Sequence, residues 1–209
     1  MADELAAARE YLRNADPVLA KLIDSHPDFD PRAWMKQLPP LDAYGALLFQ
    51  VIGQQLSVRA TRAILAKLED LFAGRLPEPD DIVNADPERL RSSGLSRRKV
   101  ETLRVLAARF AAGDFSDDFF GHSSDEEIEA ALTAIPGIGP WTVRGFLIIA
   151  LNRPDVFPTG DLALRRQVQR SYGLDKMPDE QQFLQIAERW RPYRSLAVMY
   201  LFASEFDGT

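Results

Sequence analysis

The chain contains no cysteine among its 209 residues. That excludes disulfides, thiolate-bound zinc and a cysteine-held iron–sulfur cluster. Histidine is almost as scarce. His26 and His122 are the only two, they stand far apart without the short spacing of metal ligands, and both are expected in surface loops. Apolar runs of membrane-spanning length are missing: the segment from Phe146 to Leu151 is short and is bounded by Arg144 and Arg153, so no membrane is expected as a partner. The acidic start Met1-Ala2-Asp3-Glu4 has no basic segment, and no secretory signal is expected from it. The alternating pattern of half-buried strands is absent too. With 46% hydrophobic and 27% charged residues, the composition is that of a globular chain of one compact unit or two small lobes.

Helical spacing runs through nearly every segment instead, and the expected fold class is all-α. Residues 4–14 and 17–24 are expected as two short helices, the second opened by Asp16 as cap with Pro17 in its first turn. Residues 27–40 show no period and are expected to be irregular. Over 42–53, Tyr44, Leu47, Leu48, Val51 and Ile52 share helical spacing. Ser57 is expected to cap a helix through residue 72, with Val58, Thr61, Ile64, Leu65 and Leu68 on one face. Short helices over 79–83 and 87–92 precede Gly94, and a long one covers 96–112. Residues 113–123 are acidic, contain Phe119 and Phe120, and are expected to form a loop. Helices over 161–172, 179–190 and 194–206 close the chain.

Between two further helical stretches, 126–134 and 141–151, stands Ile135-Pro136-Gly137-Ile138-Gly139-Pro140-Trp141-Thr142. Both prolines stop a helix, and Pro140 suits the first turn of a new one. Gly137 and Gly139 permit backbone angles that other residues resist, and they let an anion come close. Amides at the start of the second helix then face that anion, aided by the helix dipole. The pattern describes a helix-hairpin-helix, which grips a nucleic-acid backbone without reading sequence. A plain tight turn between two core helices would look the same. Downstream, Pro158-Thr159-Gly160 makes a turn and Asp161 stands where the next helix begins, a place where an isolated aspartate ordinarily serves as an N-cap.

Taken together, these segments resemble the helix-hairpin-helix (HhH-GPD) DNA glycosylase superfamily, over roughly residues 41–206. Val51-Ile52-Gly53-Gln54-Gln55-Leu56-Ser57 resembles its glutamine-rich turn on the minor-groove side. Glu188-Arg189-Trp190-Arg191-Pro192-Tyr193-Arg194-Ser195-Leu196-Ala197 resembles the alkylation-repair branch, that of 3-methyladenine DNA glycosylase II. The resemblance implies two helical lobes with an active-site cleft between them, one over 41–140 and the other from 1–40 plus 141–209. It implies base excision repair: hydrolysis of the N-glycosidic bond of alkylated, cationic purines such as 3-methyladenine and 7-methylguanine in duplex DNA. Asp161 is the implied catalytic group. Gly137, Ile138, Gly139 and Thr142 are implied to hold a phosphate, and the backbone carbonyls of Ile135 and Ile138 a monovalent cation, Na+ or K+. No other cofactor is expected. Gln54 and Gln55 form the implied minor-groove plug, Gln55 standing where relatives insert a side chain into the vacated stack. Leu56 is expected to point into the core. Trp141, Phe49, Tyr44, Tyr193 and Phe202 are the base-pocket candidates, because a cationic base stacks well on aromatic faces; each also reads as ordinary core. The best-known relative has Tyr where this chain has Gly145 and Leu162, and Trp where it has Phe202, so its substrate range does not carry over.

A base inside a duplex must be extruded before it can be excised. As it leaves, the sugar gains oxocarbenium character, which a nearby carboxylate stabilises. A helix N-terminus keeps such a group ionised. In bifunctional relatives a Lys at the position of Trp141 attacks the sugar through a Schiff base, so monofunctional hydrolysis without strand cleavage is expected here. The net charge is -6, but its distribution matters more than its sum. Acid gathers at Asp114, Asp117, Asp118, Asp125, Glu126, Glu127 and Glu129. Base gathers at Arg91, Arg97, Arg98, Lys99, Arg104 and Arg109, and at Arg165, Arg166, Arg170, Arg191 and Arg194. Such clusters face phosphates or form solvated helix faces, and a modest basic footprint implies weak, salt-sensitive binding. The expected partner is double-stranded DNA containing alkylated bases. A monomer is expected, in the nucleoid-associated cytoplasm of a bacterium or the nucleus of a eukaryote. The main alternative is a non-catalytic helix-hairpin-helix DNA-binding module, which shares the hairpin but has no need of Asp161. Excision of oxidised guanine or mismatched adenine is disfavoured by Trp141 and by the missing cysteines. A helical protein-interaction domain would leave the hairpin and the Gln-Gln turn as coincidence.

Overall fold

A computed structural model describes residues 2–31, 33 and 41–206. Most of the expected irregular stretch, 32 and 34–40, lies outside the described residues. Among those described, the regular elements are thirteen α-helices with no strand. The first seven are α1 (Ala2–Ala15), α2 (Pro17–Ser25), α3 (Ala43–Gly53), α4 (Val58–Leu71), α5 (Pro79–Asn84), α6 (Pro87–Arg91) and α7 (Arg97–Ala111). The remaining six are α8 (Asp117–His122), α9 (Asp125–Thr133), α10 (Pro140–Ile149), α11 (Leu162–Ser171), α12 (Glu180–Glu188) and α13 (Arg194–Phe206). Short polar caps set most of the starts. Asp16, Asp42, Ser57, Asp86, Ser96, Ser116, Ser124, Asp161 and Asp179 each accept a backbone N–H of the helix that follows.

The helices group into two compact units, Pro39–Leu151 and Met1–Leu38 with Asn152–Thr209. In the middle unit, α3 is buried almost all round, from Ala43 to Phe49 and at Val51 and Ile52. It packs against α4, α7 and α10. The boundary falls at residue 151 rather than 140. Helix α10 lies with the middle unit because it buries Val143, Phe146 and Leu147 and packs on α3 and α9.

An aromatic cluster lies within this unit. Tyr44 meets Phe110 edge-on at 5.1 Å, Phe110 lies 5.5 Å from Phe115, and Phe120 meets Phe146 at 5.1 Å. This corrects the expectation of an acidic loop over 113–123. Ser116 caps α8 by accepting from Phe119 N, and burial of Phe120 holds the short helix in place. His122 ends α8 and is not a loop residue, whereas His26 follows α2 in non-helical backbone, its N–H donating to Ile23 O and its ring nitrogen 2.8 Å from Leu22 O. Val58, expected on the apolar face of α4, is 49% exposed because it occupies the first position of that helix, before the face meets its neighbours.

The second unit centres on Leu12, Leu19, Ile23, Leu164, Val168, Phe183, Trp190 and Tyr200. Asp16, fully buried, ties it together. Its Oδ1 accepts from Val18 N and Leu19 N; its Oδ2 accepts from Tyr172 Oη at 2.6 Å and Trp190 Nε1 at 3.2 Å. Tyr172 caps the C-terminus of α11, so this carboxylate links α2 to the far end of the helix that Asp161 begins. Burial and the Asp16 carboxylate push the Tyr172 phenol well above its usual value.

Candidate functional site

The hairpin residues sit between α9 and α10 in the middle unit. Ile138 N donates to Ile135 O at 3.0 Å and closes the turn. Gly137 has φ +93°, in the left-handed region, and a Cβ there would lie 2.1 Å from Thr102 Oγ1 of α7. The residue must therefore be glycine for the sake of α7 and its own backbone angle. Gly139 differs. Its φ is -109°, and a Cβ there would meet nothing within 4 Å. It is the N-cap of α10, with no side chain bonding to the helix start and Pro140 in the first turn. The first backbone bond of that helix is Val143 N to Gly139 O, at 3.2 Å. An N-terminus built this way presents its amides and positive dipole end at an open face.

The glutamine-rich turn lies in the same unit, and its two glutamines have different surroundings. Gln54 Nε2 donates to Gly137 O at 3.0 Å and to Thr142 Oγ1 at 2.9 Å. Its side chain is thus bound into the hairpin. Gln55 is exposed with φ +60°, and Leu56 after it is 41% exposed. Leu56 was expected in the core. The left-handed turn at Gln55 carries the chain off the end of α3 and aims Leu56 outward instead.

Several of the basic residues serve the protein itself. Lys99 Nζ donates to Ile52 O at 2.7 Å and Gln54 O at 2.9 Å, closing the C-terminus of α3, and partial burial lowers its pKa. Arg104 donates to Val83 O, and Arg109 pairs with Asp114. Arg91 pairs with Glu88, and Arg191 and Arg194 both pair with Asp155. Arg97 and Arg98, in the first turn of α7, are exposed.

The aromatic candidates divide between the units. Trp141, in the first turn of α10, is 52% exposed. Phe49 is buried on α3, and Tyr44 is buried among the aromatic cluster of the middle unit, where desolvation pushes its phenol far above the usual value. Tyr193 and Phe202 belong to the second unit, both half-buried, Tyr193 edge-on to Tyr11 at 5.3 Å. At Gly145, one turn beyond Trp141, a Cβ would lie 3.2 Å from Gln50 Oε1. The room that a larger side chain would need is taken by that carboxamide, a neighbour that the sequence did not announce.

Asp161 opens α11 in the second unit. It is 8% exposed, and its Oδ1 accepts from Leu164 N at 2.9 Å. The loop before it is fixed by the segment singled out near the C-terminus. Ser195 Oγ accepts from Val156 N and donates to Arg153 O at 2.7 Å, while Ser195 N donates to Pro154 O. Arg194 holds the Asp155 carboxylate at 2.6 Å and 3.0 Å and its carbonyl at 2.7 Å. The Arg194-Ser195 pair is thus a clamp on the approach to Asp161. Lys99 and Thr102, which brace the hairpin side, were missed as site residues. Their signal was the spacing of three on α7, which puts both on one face.

Comparison with known proteins adds to this geometry. A model of the HhH-GPD superfamily of base excision DNA repair proteins matches residues 49–192. DNA-3-methyladenine glycosylase 1 of Schizosaccharomyces pombe is 32% identical over 200 residues, covering 95% of this chain and 86% of that protein. DNA-3-methyladenine glycosylase 2 of Escherichia coli is 28% identical over 174 residues, covering 79% of this chain and 58% of its own length. Among solved structures, the S. pombe 3-methyladenine DNA glycosylase in complex with abasic DNA matches with a TM-score of 0.83 at 31% identity, over 93% of this chain and 94% of that one.

Proposed function

This chain belongs to the HhH-GPD superfamily of base excision DNA repair proteins, and we propose that it is a DNA-3-methyladenine glycosylase with Asp161 as its catalytic carboxylate. It takes alkylated, cationic purines out of duplex DNA and hydrolyses their N-glycosidic bond. The hairpin from Gly137 to Thr142 holds a phosphate through backbone amides at the start of α10. The alkylated base carries its own positive charge and leaves readily. The enzyme's part is to steady the sugar cation that remains, which a fixed carboxylate does electrostatically.

The observation that carries the catalytic assignment is the buried Asp161 carboxylate at the N-terminus of α11, behind a loop held by Arg194 and Ser195. The positive end of the α11 dipole lies at this carboxylate. Trp141 stands where a Schiff-base lysine would be needed, which supports monofunctional release without strand cleavage. For the monovalent cation, the carbonyls of Ile135 and Ile138 offer the hard oxygen chemistry that Na+ or K+ takes. Ile135 O also accepts from Ile138 N, and the carbonyls of Pro136 and Gly137 accept from Thr102 and Gln54. The cation, when bound, adds positive charge beside the phosphate.

Base release from methylated duplex DNA, measured by chromatography for the wild type and for Asp161→Asn, tests the assignment. Asparagine keeps the N-cap, so the fold survives the change. The wild type is expected to release 3-methyladenine or 7-methylguanine, and the variant to bind the same DNA but release roughly 10²–10³-fold more slowly. Binding by both proteins with release by neither would leave only a DNA-binding module and overturn the proposal.

A further inference from the structure

We infer that Gln54 is a positioning residue: it ties the turn that presents Gln55 and Leu56 to the hairpin that grips the phosphate, so that the two act on DNA as one rigid part. This rests on the glycosylase reading above and deepens it. The observations all lie inside the middle unit. Gln54 Nε2 reaches Gly137 O at 3.0 Å and Thr142 Oγ1 at 2.9 Å, one partner on each side of Gly139. Lys99 Nζ holds the carbonyls of Ile52 and Gln54 from below. Three residues along the same helix, Thr102 Oγ1 lies 2.9 Å from Pro136 O and 3.0 Å from Arg98 O. The result is a closed ring: α7 to the turn through Lys99, the turn to the hairpin through Gln54, and the hairpin back to α7 through Thr102.

Every member of the ring is polar, and the bonds end on backbone carbonyls or a buried hydroxyl. Thr142 is 3% exposed and Thr102 is likewise 3% exposed. Hydrogen bonds partly shielded in this way fix geometry more firmly than exposed ones, because water competes less for them. The two features that the ring joins are those left open. Gln55 and Leu56 project immediately after Gln54, and the open helix start at Gly139 lies between the two contacts that Gln54 makes. A side chain pushed into a base stack stays there only if the backbone behind it does not yield. Holding the phosphate with the same rigid body converts the grip into leverage.

A merely structural glutamine would affect all DNA substrates alike, whereas a coupling residue matters most where a base pair must be opened. The test is therefore single-turnover base release from two duplexes, one with the alkylated base paired and one with the same base opposite an abasic analogue. Gln54→Ala is expected to slow release from the paired duplex by about tenfold or more, in line with the loss of two partly buried hydrogen bonds, and release from the unpaired one by about twofold or less. Gln54→Glu keeps the length but presents a carboxylate to Gly137 O, and is expected to behave at least as badly on the paired substrate. Thr142→Val removes one of the two acceptors at nearly constant shape and is expected to give a smaller shift in the same direction; it decides the matter should Gln54→Ala fail to fold. Equal losses on the two duplexes, or no loss on either, would overturn the inference. Absence of release by the wild type from both duplexes would instead sink the glycosylase reading itself.

Discussion

The two hairpin glycines are expected to fail in opposite ways when replaced by alanine. At Gly137 the new methyl would lie 2.1 Å from Thr102 Oγ1 and 3.2 Å from its Cβ. Thr102 is buried and has no solvent to swing into. A β-carbon at positive φ costs about 1–2 kcal/mol. Forced overpacking adds about 1–3 kcal/mol. Displacing Thr102 from Pro136 O forfeits a hydrogen bond of about 1 kcal/mol. Gly137→Ala is thus expected to destabilise the middle unit by roughly 3–6 kcal/mol, which for a chain of this size lowers the melting temperature by roughly 6–24 °C in far-UV circular dichroism. Adding Thr102→Ala removes the clash but not the backbone strain, and is expected to recover about 1–3 kcal/mol. Gly139→Ala has ordinary φ and an empty neighbourhood, so its stability cost is under about 1 kcal/mol. It is expected to lose affinity for duplex carrying an abasic site, measured by fluorescence anisotropy, because its methyl would stand at the proposed phosphate site. A Gly137→Ala protein that melts with the wild type, or a Gly139→Ala protein that melts with Gly137→Ala, refutes this division of roles.

Asp16→Ala leaves Tyr172 Oη and Trp190 Nε1 without their buried acceptor. A loss of about 3–5 kcal/mol is expected in urea denaturation. Borohydride added during turnover is expected to trap no covalent protein–DNA adduct, and the abasic strand should stay intact on a denaturing gel; an adduct would assign lyase chemistry to another amine. The affinity for duplex should fall with salt along a shallow line, with a log–log slope no steeper than about -3, because so many arginines and Lys99 are committed inside the protein. A slope several times steeper would mean that side-chain cations rather than backbone amides carry the binding.

The helices were legible in the sequence because their boundaries depend on local chemistry. Asp16-Pro17, Ser57, Ser96 and Asp179 start helices where they stand, and φ at Gly94 is +103° after α6. The hairpin was legible for the same reason, through its prolines and glycines. What escaped was anything decided by packing at a distance. The acidic composition of 113–123 concealed α8, because a loop and a short helix with one buried phenylalanine differ only in what Phe120 touches. Lys99 looked like one member of a basic cluster, and only the end of α3 reveals why it is there. The resemblance singles out Gln55, but nothing in the sequence shows that Gln54 beside it faces a neighbouring turn rather than outward.

Net negative charge and DNA binding are reconciled by where the acid is used. Aspartates cap α2, α3, α6, α11 and α12, and Asp81 and Glu127 close capping boxes at the starts of α5 and α9. Part of the acid is thus committed to helix starts, while the start of α10, like those of α4 and α7, carries no carboxylate. The same pattern bears on Asp161. Asp42, Asp86 and Asp179 cap their helices while exposed, so capping alone does not require a buried carboxylate. Burying one is unfavourable unless something else favours it. For Asp16 the reason is visible in the donors from Tyr172 and Trp190 that lock α2 to α11 and α12. Asp161 is the other buried aspartate among these caps. In the role proposed for it, burial would strengthen the action of the carboxylate on a nearby sugar cation, because water screens it less.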